Sequence, residues 1–236
     1  MELMKTGVGL PAIKRIANAL YAVLPNFNND EFIKVCTNGL DELELKQRVN
    51  HIIAVLHQFL PENFNDAADL LIALKPHWNY GEKEDSLSSF AAWPLVDYIA
   101  KYGLDAPEKS LQALKVLTSL FSAEFAIRPF IIKYPDYCHA EFEQWITDES
   151  DDVRRLVSEG TRPRLPWGMQ LKAFIKQPEI NLALLTHLQK DNSLYVRRSV
   201  ANHLNDIAKD HPELVVSTCK TWQKTAKKLS KTIATN

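Results

Sequence analysis

Apolar residues recur along this chain at helical rather than strand spacing. Ile13, Ile16, Ala17, Leu20, Val23 and Leu24 fall at intervals of three and four and predict a helix over 10–24, closed by Pro25. Asn29 or Asp30 suits an N-cap for a helix over 31–38, with Gly39 just past its end. Leu45, Val49, Ile52, Ile53, Leu56 and Leu60 share one face of a predicted helix over 42–60, and a shorter helix over 66–74 stops before Pro76. The pattern lapses over 77–89, where Gly81 and mixed charge predict a functional loop or a mobile connection. It resumes over 93–102 and 107–121, the latter expected to run on through Glu124 to Arg128 until Pro129 interrupts it. Helix pairs follow at 138–146 with 152–158 and at 180–188 with 194–209, then a basic helix from Pro212 to about Ser230. With seven glycines and no long β-branched alternation, the expected class is all-α.

Two of these segments repeat one another. Thr147-Asp-Glu-Ser-Asp-Asp-Val-Arg-Arg155 returns as Lys190-Asp-Asn-Ser-Leu-Tyr-Val-Arg-Arg198, an offset of 43 residues. A period in the low forties is what two-helix repeats of the HEAT type show. Such repeats cannot bury their apolar faces alone, so they stack into a solenoid with a continuous concave surface. The expectation is one α-solenoid domain of HEAT-like helical repeats over residues 1–236, its clearest repeats at 138–168 and 178–212, with a concave basic face. Nothing in the sequence marks a linker between independent domains.

Charge sharpens this picture. The net charge is −1, yet residues 1–150 hold 13 Lys+Arg against 21 Asp+Glu and residues 151–236 hold 15 against 8. A basic second part predicts a polyanion partner, by default nucleic acid, against the plainer reading of a solvated lysine-rich end. Cys36, Cys138 and Cys219 form no CxxC pair, and the seven histidines show no HxxxH spacing, so neither metal nor cofactor is expected. No apolar run reaches the length of a membrane span, and the first residues lack the core of a secretory signal, so a cytoplasmic protein is expected.

The repeat helices bring candidate chemistry together. Val153, Leu156 and Val157 on one and Val196, Val200, Leu204 and Ile207 on the other form apolar stripes. Arg198, Asn202, Asn205, Asp206 and Lys209 are expected on the outer face. The offset sets Arg155 beside Arg198 and Glu159 beside Asn202, a ladder of arginines with carboxylates among them. Arg155 and Glu159 have a plainer reading too, as an exposed ion pair worth about 0.3–0.5 kcal/mol. The loop between the repeats carries Arg162, Pro163, Arg164, Pro166, Trp167 and Gly168. A Trp held between Pro and Gly either presents its face to a cation or nucleobase or enters the core.

Residues 153–167 and 193–212 resemble the AlkC-like branch of the HEAT-like-repeat DNA alkylation-repair glycosylases, as do 120–130 and 39–49. The resemblance spans about 10–222 and is most specific over 150–212. It implies hydrolysis of the N-glycosidic bond of alkylated purines such as 3-methyladenine in duplex DNA; a monomer is expected. It also implies Glu124, Glu159 and Asp206 as catalytic acids, with Arg155 and Trp167 contacting the substrate. Arg162, Arg164, Arg197, Arg198 and Asn202 are the expected DNA contacts. After Trp222 the family usually continues with a further helical repeat, whereas this sequence ends in a lysine-rich segment; a shortened cleft wall and weak DNA binding are expected. The competing reading is a catalytically silent HEAT module that binds DNA or a protein through the same basic face.

Overall fold

The computed structural model describes the backbone of residues 2–82 and 84–234, and the side chains of 4–82 and 84–226. Helices follow one another as α1 (Glu2–Lys5), α2 (Leu10–Val23), α3 (Asn29–Thr37), α4 (Leu45–Phe59), α5 (Phe64–Ala73), α6 (Trp93–Tyr102), α7 (Pro107–Leu117), α8 (Arg128–Lys133), α9 (Pro135–Trp145), α10 (Asp151–Gly160), α11 (Lys172–Lys176), α12 (Leu182–Leu188), α13 (Leu194–Ala208) and α14 (Pro212–Ala234). There is no strand among the described residues, and the all-α class read from periodicity holds. The chain forms two compact units, 1–138 and 139–236, divided within α9.

In the first unit α2 packs on α3, α4 on α6 and α5 on α7. Ile13, Ile16, Leu20, Phe32, Ile52, Ile53, Leu56 and Leu71 are fully buried there, largely the stripe that the spacing predicts. Local chemistry corrects two boundaries and shows what holds the loop after α5. The N-cap of α3 is Asn28, whose side chain accepts from the Glu31 amide at 3.1 Å. α7 stops at Leu117 instead of running to Arg128, because hydroxyls compete for the backbone: Thr118 Oγ1 accepts from the Ala123 amide and Ser119 Oγ donates to the Val116 carbonyl. The 77–89 segment is pinned by Arg15, which donates to the carbonyls of Asn79 and Ser88, each at 2.7 Å. The same guanidinium lies 5.1 Å from the centre of the Trp78 ring.

In the second unit α10 packs on α13, so the two copies of the 43-residue repeat are neighbours. Each begins with the same turn. Asp148 accepts from the Ser150 amide at 2.9 Å and Asp191 from the Ser193 amide at 2.8 Å. Arg154 donates back to the carbonyls of Asp148 and Glu149, and its counterpart Arg197 to those of Asp191 and Asn192. Arg154 does more, reaching across to Asp191 with two bonds of 2.6 and 2.9 Å. Side chains of the lysine-rich end at Lys227, Lys228 and Lys231 lie outside the described residues.

This asymmetry has a measurable consequence. Arg154→Ala strands the largely buried Asp191 carboxylate and should cost about 3 kcal/mol. Arg197→Ala removes bonds to carbonyls and a charge interaction with Asp191 weaker than that of Arg154, and should cost about 1.5 kcal/mol. Urea denaturation of the two variants beside the parent checks the order; equal losses would mean that Arg154 does not join the repeats.

Candidate active site

Helix α13 turns two faces inward. One is the apolar stripe of Val196, Val200, Leu204 and Ile207; the other is polar, Ser199, His203 and Asp206, at i, i+4 and i+7, and all three are buried. Burial of polar groups is tolerable chiefly where they find partners, and α10 with its trailing turn supplies most of them, leaving His203 Nε2 without a hydrogen bond among the described residues. Ser199 Oγ donates to Glu159 Oε2 at 2.6 Å. His203 Nδ1 donates to the Ser158 carbonyl at 2.9 Å. Arg162, just past the end of α10, donates from Nη1 to Glu159 Oε1 at 2.6 Å and from Nε to Asp206 Oδ2 at 2.8 Å.

The two carboxylates are therefore joined through one guanidinium. Glu159 is 4 % and Asp206 2 % exposed. Lys209 Nζ donates to the second oxygen of Asp206 at 2.9 Å, and Arg155 lies 3.8 Å from Glu159 Oε2. Burial alone would raise the pKa of Asp206, but the hydrogen bonds and charges of Arg162 and Lys209 outweigh it and hold the carboxyl below its usual range. His203, fully enclosed, is pushed down to about 4 by desolvation, so it is neutral at pH 7. Carboxylates fixed in this way can stabilise a nearby positive charge or orient a water molecule.

The expected site residues divide into groups. Glu159 and Asp206 are brought together, although not as foreseen: Asp206 leaves the outer face expected for it and lies buried, while Arg198 and Asn202 are exposed. Glu159 meets Ser199 rather than Asn202. Trp167 does not enter the core: it is 71 % exposed, on a left-handed backbone at φ 62°. That conformation costs a non-glycine residue on the order of 1–3 kcal/mol. Glu124 belongs to the first unit, in the turn between α7 and α8, where it accepts from Ser122 Oγ at 2.7 Å.

Three of the arginines expected on phosphate are engaged within the protein. Arg162 is 8 % exposed and committed to the two acids. Arg164 forms a two-bond pair with Asp210 at 2.8 and 2.9 Å. Arg197 closes the turn before α13. Arg198 is exposed and forms no ion pair among the described residues, and Asn202 is exposed beside it on α13. Arg155 stacks over the ring of Tyr195, 4.5 Å from its centre. Tyr195, Ser199 and His203 escaped the sequence reading. Their only signal was a polar i, i+4 series beside an apolar stripe, which periodicity counts as a solvent face.

No family model matches the chain. It is 36% identical over 211 residues to the uncharacterized protein YhaZ of Bacillus subtilis (strain 168), a match covering 89% of this chain and 57% of that protein. Among solved structures, it resembles the Pseudomonas fluorescens alkylpurine DNA glycosylase AlkC bound to DNA containing an abasic site analog. That likeness has a TM-score of 0.83 and 41% identity, and covers 93% of this chain and 59% of that one. The chain thus spans less than three-fifths of the length of either relative.

The enclosed His203 predicts a pH dependence of stability. Its folded pKa of about 4 lies below the usual 6.5, so between those values the unfolded chain binds a proton that the folded one refuses. Stability from this residue is intact above about pH 6.5 and is lost as pH falls toward 4, by roughly 3 kcal/mol in all. Urea midpoints at pH 7 and 4.5 should separate more for the parent than for His203→Gln; equal separations would show that His203 takes up its proton freely in the folded state.

Proposed function

For a chain that belongs by sequence and fold to the AlkC-like branch of the HEAT-like-repeat proteins, we propose the activity of a DNA glycosylase acting on alkylated purines of the 3-methyladenine type in duplex DNA. The observation that carries this reading is the pair of buried carboxylates, Glu159 and Asp206, bridged by Arg162 at the repeat interface. Carboxylates oppose DNA binding, so two of them set among the arginines of the repeat helices support a role in chemistry. Exposed Trp167, five residues beyond Arg162 on a strained backbone, supports a contact with the damaged nucleotide or its sugar. Arg155, held between Glu159 and Tyr195, supports a contact beside the acids.

The proposed reaction follows from the charge of the lesion. Alkylation at N3 or N7 makes the purine cationic, so the base departs neutral when the C1′–N9 bond breaks with its electron pair. No general acid is required. The demand falls on the deoxyribose, which becomes oxocarbenium-like. Fixed carboxylates lower the energy of that cation, and one of them orients the water whose oxygen then bonds to C1′ and whose proton is released. Because the acids need reach only the sugar, the base can leave without being turned out of the helix into a pocket, as other glycosylases require. Arg198 and Asn202 are the proposed backbone contacts. The role that the resemblance assigns to Glu124 rests on the resemblance alone and is tested by Glu124→Gln.

A catalytically silent module would share the ion-pair network, since every oxygen of the two acids already has a partner. Kinetics separates the readings. Glu159→Gln and Asp206→Asn should each lower single-turnover release of 3-methyladenine by about two to three orders of magnitude, with DNA affinity unchanged or raised. Unaltered release by both would leave the silent module in front. Arg198→Ala should weaken binding across all sequences and reduce the log–log salt slope by roughly one; an unchanged slope would remove Arg198 from the phosphate contacts.

A further inference from the structure

We infer that Arg162 is a positioning residue, a clamp that spans two repeats and sets the separation of the two acids, with no contact to DNA of its own. The inference rests on the proposed glycosylase reading for its catalytic consequence, but its geometry stands independently. Arg162 is 8 % exposed, so its guanidinium has no face to offer a phosphate. Its Nε and Nη1 diverge onto acids from different helices, Asp206 of α13 at 2.8 Å and Glu159 of α10 at 2.6 Å. A rigid planar fork fixes the distance between two carboxylates in a way that the single ammonium of a lysine cannot.

The other partners of the acids mark Arg162 as the fixed point. Lys209, on the second oxygen of Asp206, has a side chain 58% exposed, against 10% for Arg162. An exposed lysine is readily drawn away when DNA phosphates approach; the buried arginine is not. Ser199 holds the second oxygen of Glu159 and is a neutral donor. Withdrawal of Lys209 would leave Arg162 as the cation that keeps Asp206 ionised and in place. Without Arg162, two buried carboxylates would share one seam, and their repulsion would favour a proton on one of them. Arg164 on the same loop, together with Glu159 and His203, also acts electrostatically around this cluster, so these groups are kept constant in the test.

Arg162→Lys and Ser199→Ala test the clamp, with folding of each checked by thermal melting. Carboxyl titrations followed by carbon-13 NMR in the free protein read the charge state directly. In Arg162→Lys, Asp206 should titrate at higher pH than in the parent, and the acid limb of the excision profile should move up with it. The first-order excision rate should fall by about 100-fold, the scale of a misplaced reacting group, while the DNA dissociation constant and its salt slope stay as in the parent. Ser199→Ala should lower the rate without moving the Asp206 titration. An unshifted Asp206 titration, or a salt slope reduced by the loss of Arg162, would overturn the clamp. If the parent itself releases no base, the glycosylase reading fails, and the NMR titration still decides whether Arg162 governs the acids.

Discussion

A carboxylate taken out of water must meet cations or hydrogen-bond donors where it comes to rest, and that requirement governs how α10 meets α13. Two acids are buried along this seam and a third, Asp191, is partly buried. Asp191 is met by Arg154, and Glu159 and Asp206 are met by Arg162. The bonds of Arg154 to Asp191 and of Arg162 to Asp206 cross from one copy of the 43-residue repeat to the other, so the charges set the register of the stack while the flanking valines and leucines supply its area. Removing one partner of such a pair is costly because the other remains buried and charged. The seam is consequently a poor place for drift, in position or in protonation.

That rigidity is what the proposed chemistry needs. A group meant to stabilise a transient sugar cation gains most if it is already ionised and already in place. Burial ordinarily works against the first condition; here Arg162 and Lys209 reverse it at Asp206. His203 fills the remaining space between the helices as a neutral ring, adding no charge to the seam at pH 7. The adjoining loop is built differently, with Trp167 exposed on a strained backbone. Fixed acids within and an exposed indole on the neighbouring loop are a division of labour suited to binding a nucleotide at one point and acting on its sugar at another.

Much of this was legible in the sequence. The apolar periodicity located most helices to within a few residues, and the offset between Asp148 and Asp191 located the repeat, because turn chemistry at Asp-x-Ser is local. Less visible were features decided by partners distant in the chain. Asp206 reads as a surface residue because its neighbours Asn202, Asn205 and Lys209 are polar, and its buried partner Arg162 lies 44 positions away. Arg162, Arg164 and Arg197 read as free cations for the same reason: a sequence shows charges but not which are already paired. The end of α7 was missed because Thr118 and Ser119 break a helix through side-chain hydrogen bonds that periodicity does not count. The two acids themselves were singled out by the resemblance and by their place among arginines, and the geometry brings them together.

The central claim, that fixed carboxylates act on a sugar cation and supply no proton to the departing base, is tested most directly by comparing leaving groups. Duplexes carrying one cationic alkylpurine or one neutral damaged purine are incubated with the protein in excess, and released base and abasic sites are counted together. The account predicts release of the cationic base with one abasic site formed for each, and release of the neutral base slower by at least about a thousandfold, the upper part of the range lost with a missing proton donor. Comparable release of both bases would contradict it by requiring a general acid. DNA binding with release of neither would leave the ion pairs of α10 and α13 a structural seam and nothing more.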